Sequence, residues 1–258
     1  LSKVEKKFIR NKIRECKDHF PKLYLLMKVH KNPLKTRPVV SCSGSLLHPL
    51  GVWLDTALQP IARRLPSFIA SSFDVKEALD DIGVLPPGSR LFTADAVSMY
   101  TNIDTYRAID SMRSFLRVTC GIYKEKLDAI MDATELIMKN NVFQFGDCYF
   151  HQKSGTAMGT PPACCYATIY YAMRETFLFN KYRENLFFCK RYIDDILGIW
   201  VQNDPLLTYE DFKKDLAAHG VENPYYTQLE GYLNAMVIVE ALQQAGQSLT
   251  RSNFVSAM

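Results

Sequence analysis

Two adjacent aspartates, Asp194 and Asp195, interrupt an otherwise apolar stretch that runs from Leu186 to Val201 as LFFCKRYIDDILGIWV. Each flank is too short for a long helix and is rich in aromatic and β-branched residues, so the stretch predicts two strands that turn at the acidic pair. Burying a carboxylate without a compensating partner is costly. Two neighbouring carboxylates also repel each other, which raises the demand for a cation. A divalent metal at the strand turn meets that demand, and Mg²⁺ suits it by taking one or two carboxylates together with substrate phosphates. A solvent-facing turn would account for Asp-Asp alone. The apolar bulk of Tyr192, Ile193, Ile196 and Leu197 around the pair favours the site.

A second acidic candidate is Asp95, near the end of the strand-like run LFTADAVSMYTNI that starts at Leu91. Two-metal phosphoryl chemistry needs carboxylates from at least two places in the chain, to hold ions about 3.5–4 Å apart. Asp95 and Asp194 on neighbouring strand ends would supply them.

Composition narrows the classes of chain. With 258 residues, 48% of them hydrophobic, and a net charge of +4, the sequence is neither disordered nor collagen-like. The length allows one large domain or two small ones, with a sizeable core. No apolar run approaches the ~18–20 residues of a membrane span. The opening LSKVEKKFIR has no initiator Met and no signal-peptide core, so the chain is read as a segment of a longer protein. Its 7 cysteines have no zinc or disulfide spacing and are expected to be reduced thiols in an intracellular protein. The first 40 residues carry a charge of +9, against −5 on the other 218. A basic arm of that kind suits a polyanion, and it also suits a solvated helix face.

Hydrophobic periodicity and turn residues outline an irregular mixture of helices and strands, hence an α+β domain. A basic helix is expected before Pro21, then a hairpin whose strands begin near Leu23 and Thr36, joined by the basic loop Lys31–Lys35. Helices are expected from His48 to about Leu65, from Tyr106 to Arg117 and from Lys124 to Lys139. A second hairpin turns at Gly146-Asp147, and the small-residue loop KSGTAMGTPP leads into a long apolar helix. His30, His48 and His151 have no ligand spacing.

Taken in order, these segments resemble a reverse transcriptase. Tyr192-Ile193-Asp194-Asp195 is similar to its YxDD box, and Phe92 to Tyr100 to the strand bearing its first catalytic aspartate. Gly155 to Pro161 is similar to its Gly/Pro loop, and Lys28 with Arg37-Pro38-Val39-Val40-Ser41 to its triphosphate-holding strands. The wording SMYTNI, MGTPPA and YIDDILGIW most resembles Penelope-like retroelements. The resemblance covers roughly residues 20–220. It implies a right-hand palm-and-fingers polymerase with an antiparallel palm sheet: fingers in residues 1–90, palm in 91–221.

It also implies roles. Asp95, Asp194 and Asp195 would be the catalytic metal ligands for two Mg²⁺ ions, with Mn²⁺ as a substitute, and the Ala96 carbonyl would add a backbone ligand. Lys28, Arg37, Tyr100, Gly155 and Gly159 would contact the nucleotide, with Tyr100 as the wall that rejects a 2′-hydroxyl. Pro161 and Tyr192 would lie against template and primer. The implied partners are an RNA template, a DNA or RNA primer and dNTPs, with no membrane. A eukaryotic host would place the protein in the nucleus. Another palm polymerase that makes RNA, and an inactive nucleic-acid-binding relic, stay open as alternatives.

The end of the chain departs from that family. Tyr209 to Gly220 still fits a palm helix, but residues 222–258 do not read as a thumb. Leu229, Leu233, Met236, Val237, Ile238 and Leu242 form an amphipathic pattern that stops near Gly246. This helical tail resembles the end of type 1 periplasmic amino-acid-binding proteins, and much of the thumb is expected to be missing.

Overall fold

The computed structural model describes residues 1–29, 32–96, 98–119 and 121–201. The helices expected over Tyr209–Gly220 and Leu229–Leu242, and the resemblance at the end of the chain, lie outside these residues, as do His30 and Val97. Among the described residues the fold is mixed, with six helices and two sheets.

Helix α1 (Lys3–Arg14) opens with a capping box. The Ser2 hydroxyl accepts from the Glu5 backbone N–H at 3.2 Å, and the Glu5 carboxylate accepts from the Ser2 N–H at 2.6 Å. The other Glu5 oxygen accepts from the Trp53 indole at 3.0 Å and pins the helix to its neighbour. The helix ends about a turn and a half earlier than the pattern suggests. Non-local backbone bonds from Asp18 to Gly44 and from Leu46 to His19 draw the chain out of helical geometry.

Strands β1 (Lys22–Lys28) and β2 (Lys35–Ser41) pair antiparallel along their whole length. A later hairpin, β4 (Val142–Phe145) and β5 (Cys148–His151), joins them through a parallel contact at Lys22 and Gln144 and gives the sheet order β2-β1-β4-β5. The second sheet is antiparallel throughout, with order β3-β7-β6, and is built from β3 (Ser89–Asp95), β6 (Leu186–Tyr192) and β7 (Asp195–Val201).

The core lies among four helices: α2 (His48–Ala62), α4 (Thr105–Thr119), α5 (Lys124–Lys139) and α6 (Ala163–Lys181). Leu54, Leu58, Met112, Leu116, Ile130, Met131 and Tyr166 are fully buried there. Each such aliphatic side chain contributes roughly 1.5–3 kcal/mol on burial. Helix α3 (Ser72–Asp80) is capped by Ser71 and buries no residue, so it has no apolar stripe to betray it in the sequence. All the described residues fall in one compact unit, Leu1–Val201. Among them, no helix is long and apolar enough to cross a membrane.

Candidate active site

The site is built from one end of the β3-β7-β6 sheet. Strands β6 and β7 form a hairpin in which Tyr192 pairs with Asp195, leaving Ile193 and Asp194 as a two-residue turn. Strand β3 lies against β7 in a register that sets Asp95 directly across from Asp195. One residue further, the Ala96 N–H donates to the Asp194 carbonyl at 2.9 Å. Residues paired across antiparallel strands share a face, with Cβ atoms about 4.5–5.5 Å apart. Asp95 and Asp195 therefore share one face at this sheet end, with Asp194 next to them in the turn. Asp95 stands opposite Asp195, and Asp194 touches the β3 side through its backbone.

All three aspartates are exposed. Among the described residues, none is engaged in an ion pair. Like charges in directly paired positions are destabilising, so this cluster has an unmet demand for positive charge. No group of three His, Cys, Asp or Glu side chains among the described residues is drawn close enough to cage a metal. The donor set fits Mg²⁺, which binds through one or two carboxylates and completes its octahedron with water and substrate phosphates.

Ile193 adopts φ 55°, in the left-handed region. For a β-branched residue this is a strained backbone. The turn that presents Asp194 thus departs from the Asn-Gly chemistry that two-residue hairpins favour.

Tyr100 is half-buried, and burial pushes its phenol above the ordinary tyrosine value. The adjacent Cys164 side chain and the Asp194 charge add to the rise, while Arg37 opposes it. Tyr100, Cys164, Asp194 and Arg37 therefore share one electrostatic neighbourhood, although they come from four separate stretches of chain. Arg37 pairs with Leu26, and Lys28 pairs with Lys35. Alternation along the strands puts Lys28, Lys35 and Arg37 on the same face of the β1–β2 hairpin. Lys35 was not singled out in the sequence. Its position two residues before Arg37 is the signal that would have found it.

The loop between β5 and α6 is fastened to the segment that follows β3 and to strand β2. The Gly155 N–H donates to Ile103 and the Thr156 N–H to Tyr100, at 2.9 and 2.8 Å. A Cβ on Gly155 would stand 2.6 Å from the Tyr100 carbonyl oxygen, and one on Gly159 would stand 2.4 Å from that of Val40. The glycines are thus pressed against protein backbone on the side where a Cβ would stand. Pro161 packs on helix α2, 3.3 Å from where a Cβ on Gly51 would be. Tyr192 is 45% exposed beside the aspartate turn. Sequence reasoning missed the buried side chains beneath that turn, Arg191 and Glu175. Glu175, an acid within the mostly apolar stretch that forms α6, was the available signal.

No protein-family model matches the sequence, and no curated protein matches it. Among solved structures it resembles apo telomerase from Candida tropicalis, with a TM-score of 0.53 and 13% identity over 82% of this chain and 44% of that one. Telomerase from Candida albicans, in complex with the TWJ fragment of telomeric RNA, gives 0.53 and 13% over 83% of this chain and 42% of that one. Telomerase is a reverse transcriptase. The chain has a reverse-transcriptase-like fold. It spans less than half the length of these two telomerase chains.

Proposed function

We propose that this chain is the palm and fingers of an RNA-directed DNA polymerase that adds dNTPs to a primer 3′-hydroxyl, within a Penelope-like retroelement. The observation that carries the reading is the in-register meeting of Asp95 with the Asp194–Asp195 turn, beside Tyr100 and Arg37. The RNA bound to the Candida albicans telomerase is in keeping with a nucleic-acid template.

Asp95, Asp194 and Asp195, with the Ala96 carbonyl, would hold two Mg²⁺ ions. When bound, these ions supply activation of the 3′-hydroxyl and charge neutralisation on the leaving pyrophosphate. Lys28, Lys35 and Arg37 hold the triphosphate, with Arg37 offering the bidentate fork that phosphate favours. Tyr100 stays neutral at physiological pH, because burial and the nearby Asp194 charge disfavour its ionised form. Its ring would serve as an apolar wall that excludes a 2′-hydroxyl. The basic α1 arm contributes affinity for nucleic acid through counterion release.

The test is primer extension on an RNA template with Mg²⁺, comparing the parent with Asp194→Asn. Losing a metal-binding carboxylate is expected to slow extension at least about a hundredfold, as several kcal/mol of transition-state stabilisation would require. An Asp194→Asn chain that extends primer as well as the parent overturns the reading. Incorporation of ribonucleotides in preference to deoxynucleotides would point instead to an RNA-synthesising palm polymerase.

A further inference from the structure

Directly beneath the aspartate turn lies a side-chain assembly that the proposed chemistry does not use. Arg191, the last residue but one of β6, is 2% exposed, and Glu175 on α6 is 8% exposed. The Arg191 Nε donates to one Glu175 oxygen, and the Ser67 hydroxyl donates to the other. One Arg191 Nη donates to the Thr168 carbonyl at 2.9 Å, and the other donates to the Ile193 carbonyl at 2.8 Å. The Arg191 backbone is also held, its N–H donating to the Ser67 carbonyl at 2.7 Å.

The last side-chain bond falls on the strained residue. A left-handed β-branched residue persists only where its surroundings over-determine it. Ile193 has no side-chain hydrogen bond to stabilise the turn, and it lacks the ease with which the Asn, Asp or Gly usual in two-residue hairpins takes positive φ. The restraint comes from below. A guanidinium presents donors in a rigid plane, so fixing two of its edges on Glu175 and Thr168 fixes where the third meets Ile193.

We propose that Arg191 is a positioning residue for the aspartate turn, anchored by Glu175 and Ser67 and setting the placement of Asp194 and Asp195 through the Ile193 carbonyl. This rests on the polymerase reading for its purpose and on the hydrogen bonds alone for its mechanics. Lys at this position would keep the charge beside Glu175 but could not reach Glu175, Thr168 and Ile193 together.

The test uses the full chain, with Mn²⁺ alone as the probe. Binding is read from loss of the free-ion paramagnetic resonance signal, and turn order from amide hydrogen exchange across residues 191–196. In the parent, Mn²⁺ occupies a site that Asp194→Asn abolishes. Arg191→Lys weakens that binding about 10–100-fold, the range typical of groups that orient metal ligands, and speeds exchange in the turn. Its circular dichroism stays that of the parent. Ser67→Ala shifts both readouts in the same direction by less, and it carries the test if Arg191→Lys fails to fold. A folded variant with the parent's Mn²⁺ affinity and exchange overturns the inference and leaves the polymerase reading standing. If the parent binds no Mn²⁺ without nucleotide, the exchange rates alone decide whether Arg191 holds the turn, and primer extension decides the polymerase reading.

Discussion

Gly159 offers a quantitative test of how the β1–β2 hairpin is fastened to the rest of the site. Its φ is 104°, and a Cβ there would lie 2.4 Å from the Val40 oxygen and 3.1 Å from the Val40 carbonyl carbon. Real Cβ atoms do not come that close to backbone, so Gly159→Ala must push the loop off β2. The push breaks the bond from the Val40 N–H to the Met158 carbonyl, 2.7 Å long at a buried strand residue. Losing that bond costs about 1–3 kcal/mol. Forcing alanine into positive φ adds roughly 1–2 kcal/mol. The sum is about 3 kcal/mol. Gly146, at φ 59° with nothing within 4 Å of its missing Cβ, separates the two contributions. Gly146→Ala bears the conformational cost alone, about 1 kcal/mol. With a urea m-value of about 2 kcal/mol/M, the unfolding midpoint falls by about 1.5 M for Gly159→Ala and about 0.5 M for Gly146→Ala. The assay is urea unfolding followed by circular dichroism. Equal midpoint shifts for the two variants would refute the argument, because the loop would then not be seated on Val40 at all.

Three further outcomes follow from other parts of the molecule. Tyr100→Val removes the ring beside Asp194, so the preference for dNTP over rNTP should fall at least tenfold in competition assays, and unchanged selectivity would disprove the wall. Lys35→Ala removes one of three cations on the hairpin face and should raise the KM for dNTP a few-fold with kcat nearly constant, the pattern of lost ground-state binding; an unchanged KM removes Lys35 from the site. Glu5 is held at about 2 by the Trp53 indole first, and then by the Ser2 backbone and hydroxyl. Its folded value is depressed, so the stabilisation it contributes is present above the unfolded value of 4.5 and is lost as pH falls toward 2. Trp53→Phe should narrow that window, with the Glu5 carboxyl titrating closer to 4.5 by NMR.

What could be read from the chain alone was local. The hairpin turn at Gly146-Asp147 and the helix Lys124–Lys139 stand where turn residues and apolar spacing predict them. The strands around Asp194 and Asp195 follow from apolar runs bounded by an acidic pair. The site's finer geometry depends on register, which a single strand does not carry. The sequence names Asp95, Asp194 and Asp195 together, but which of the adjacent pair stands across from Asp95 is a matter of register: Asp194 sits in the two-residue turn and Asp195 lies opposite Asp95. The backbone contacts of Gly155 and Gly159 were hidden for a similar reason. Their neighbours, Tyr100 and Val40, are 55 and 119 residues away along the chain. A lone Arg before a Tyr likewise gives no hint that a helix Glu sixteen residues earlier will meet it in the core.

That buried pair invites a physical question, since ion pairs in a protein interior are costly to desolvate and are often matched in stability by apolar replacements. Stability alone is a poor reason for Arg191 and Glu175 to be where they are. Charge geometry is a better one. A guanidinium left unpaired under the turn would face three carboxylates and could fold one of them inward, satisfying the cluster without any metal. Glu175 occupies two edges of Arg191, and Thr168 takes a further donor. What remains for the turn is a bond to a neutral carbonyl at Ile193. Arg191 can then hold the backbone without neutralising the aspartates, and their negative charge stays directed outward, toward a divalent cation and the phosphates it would bring.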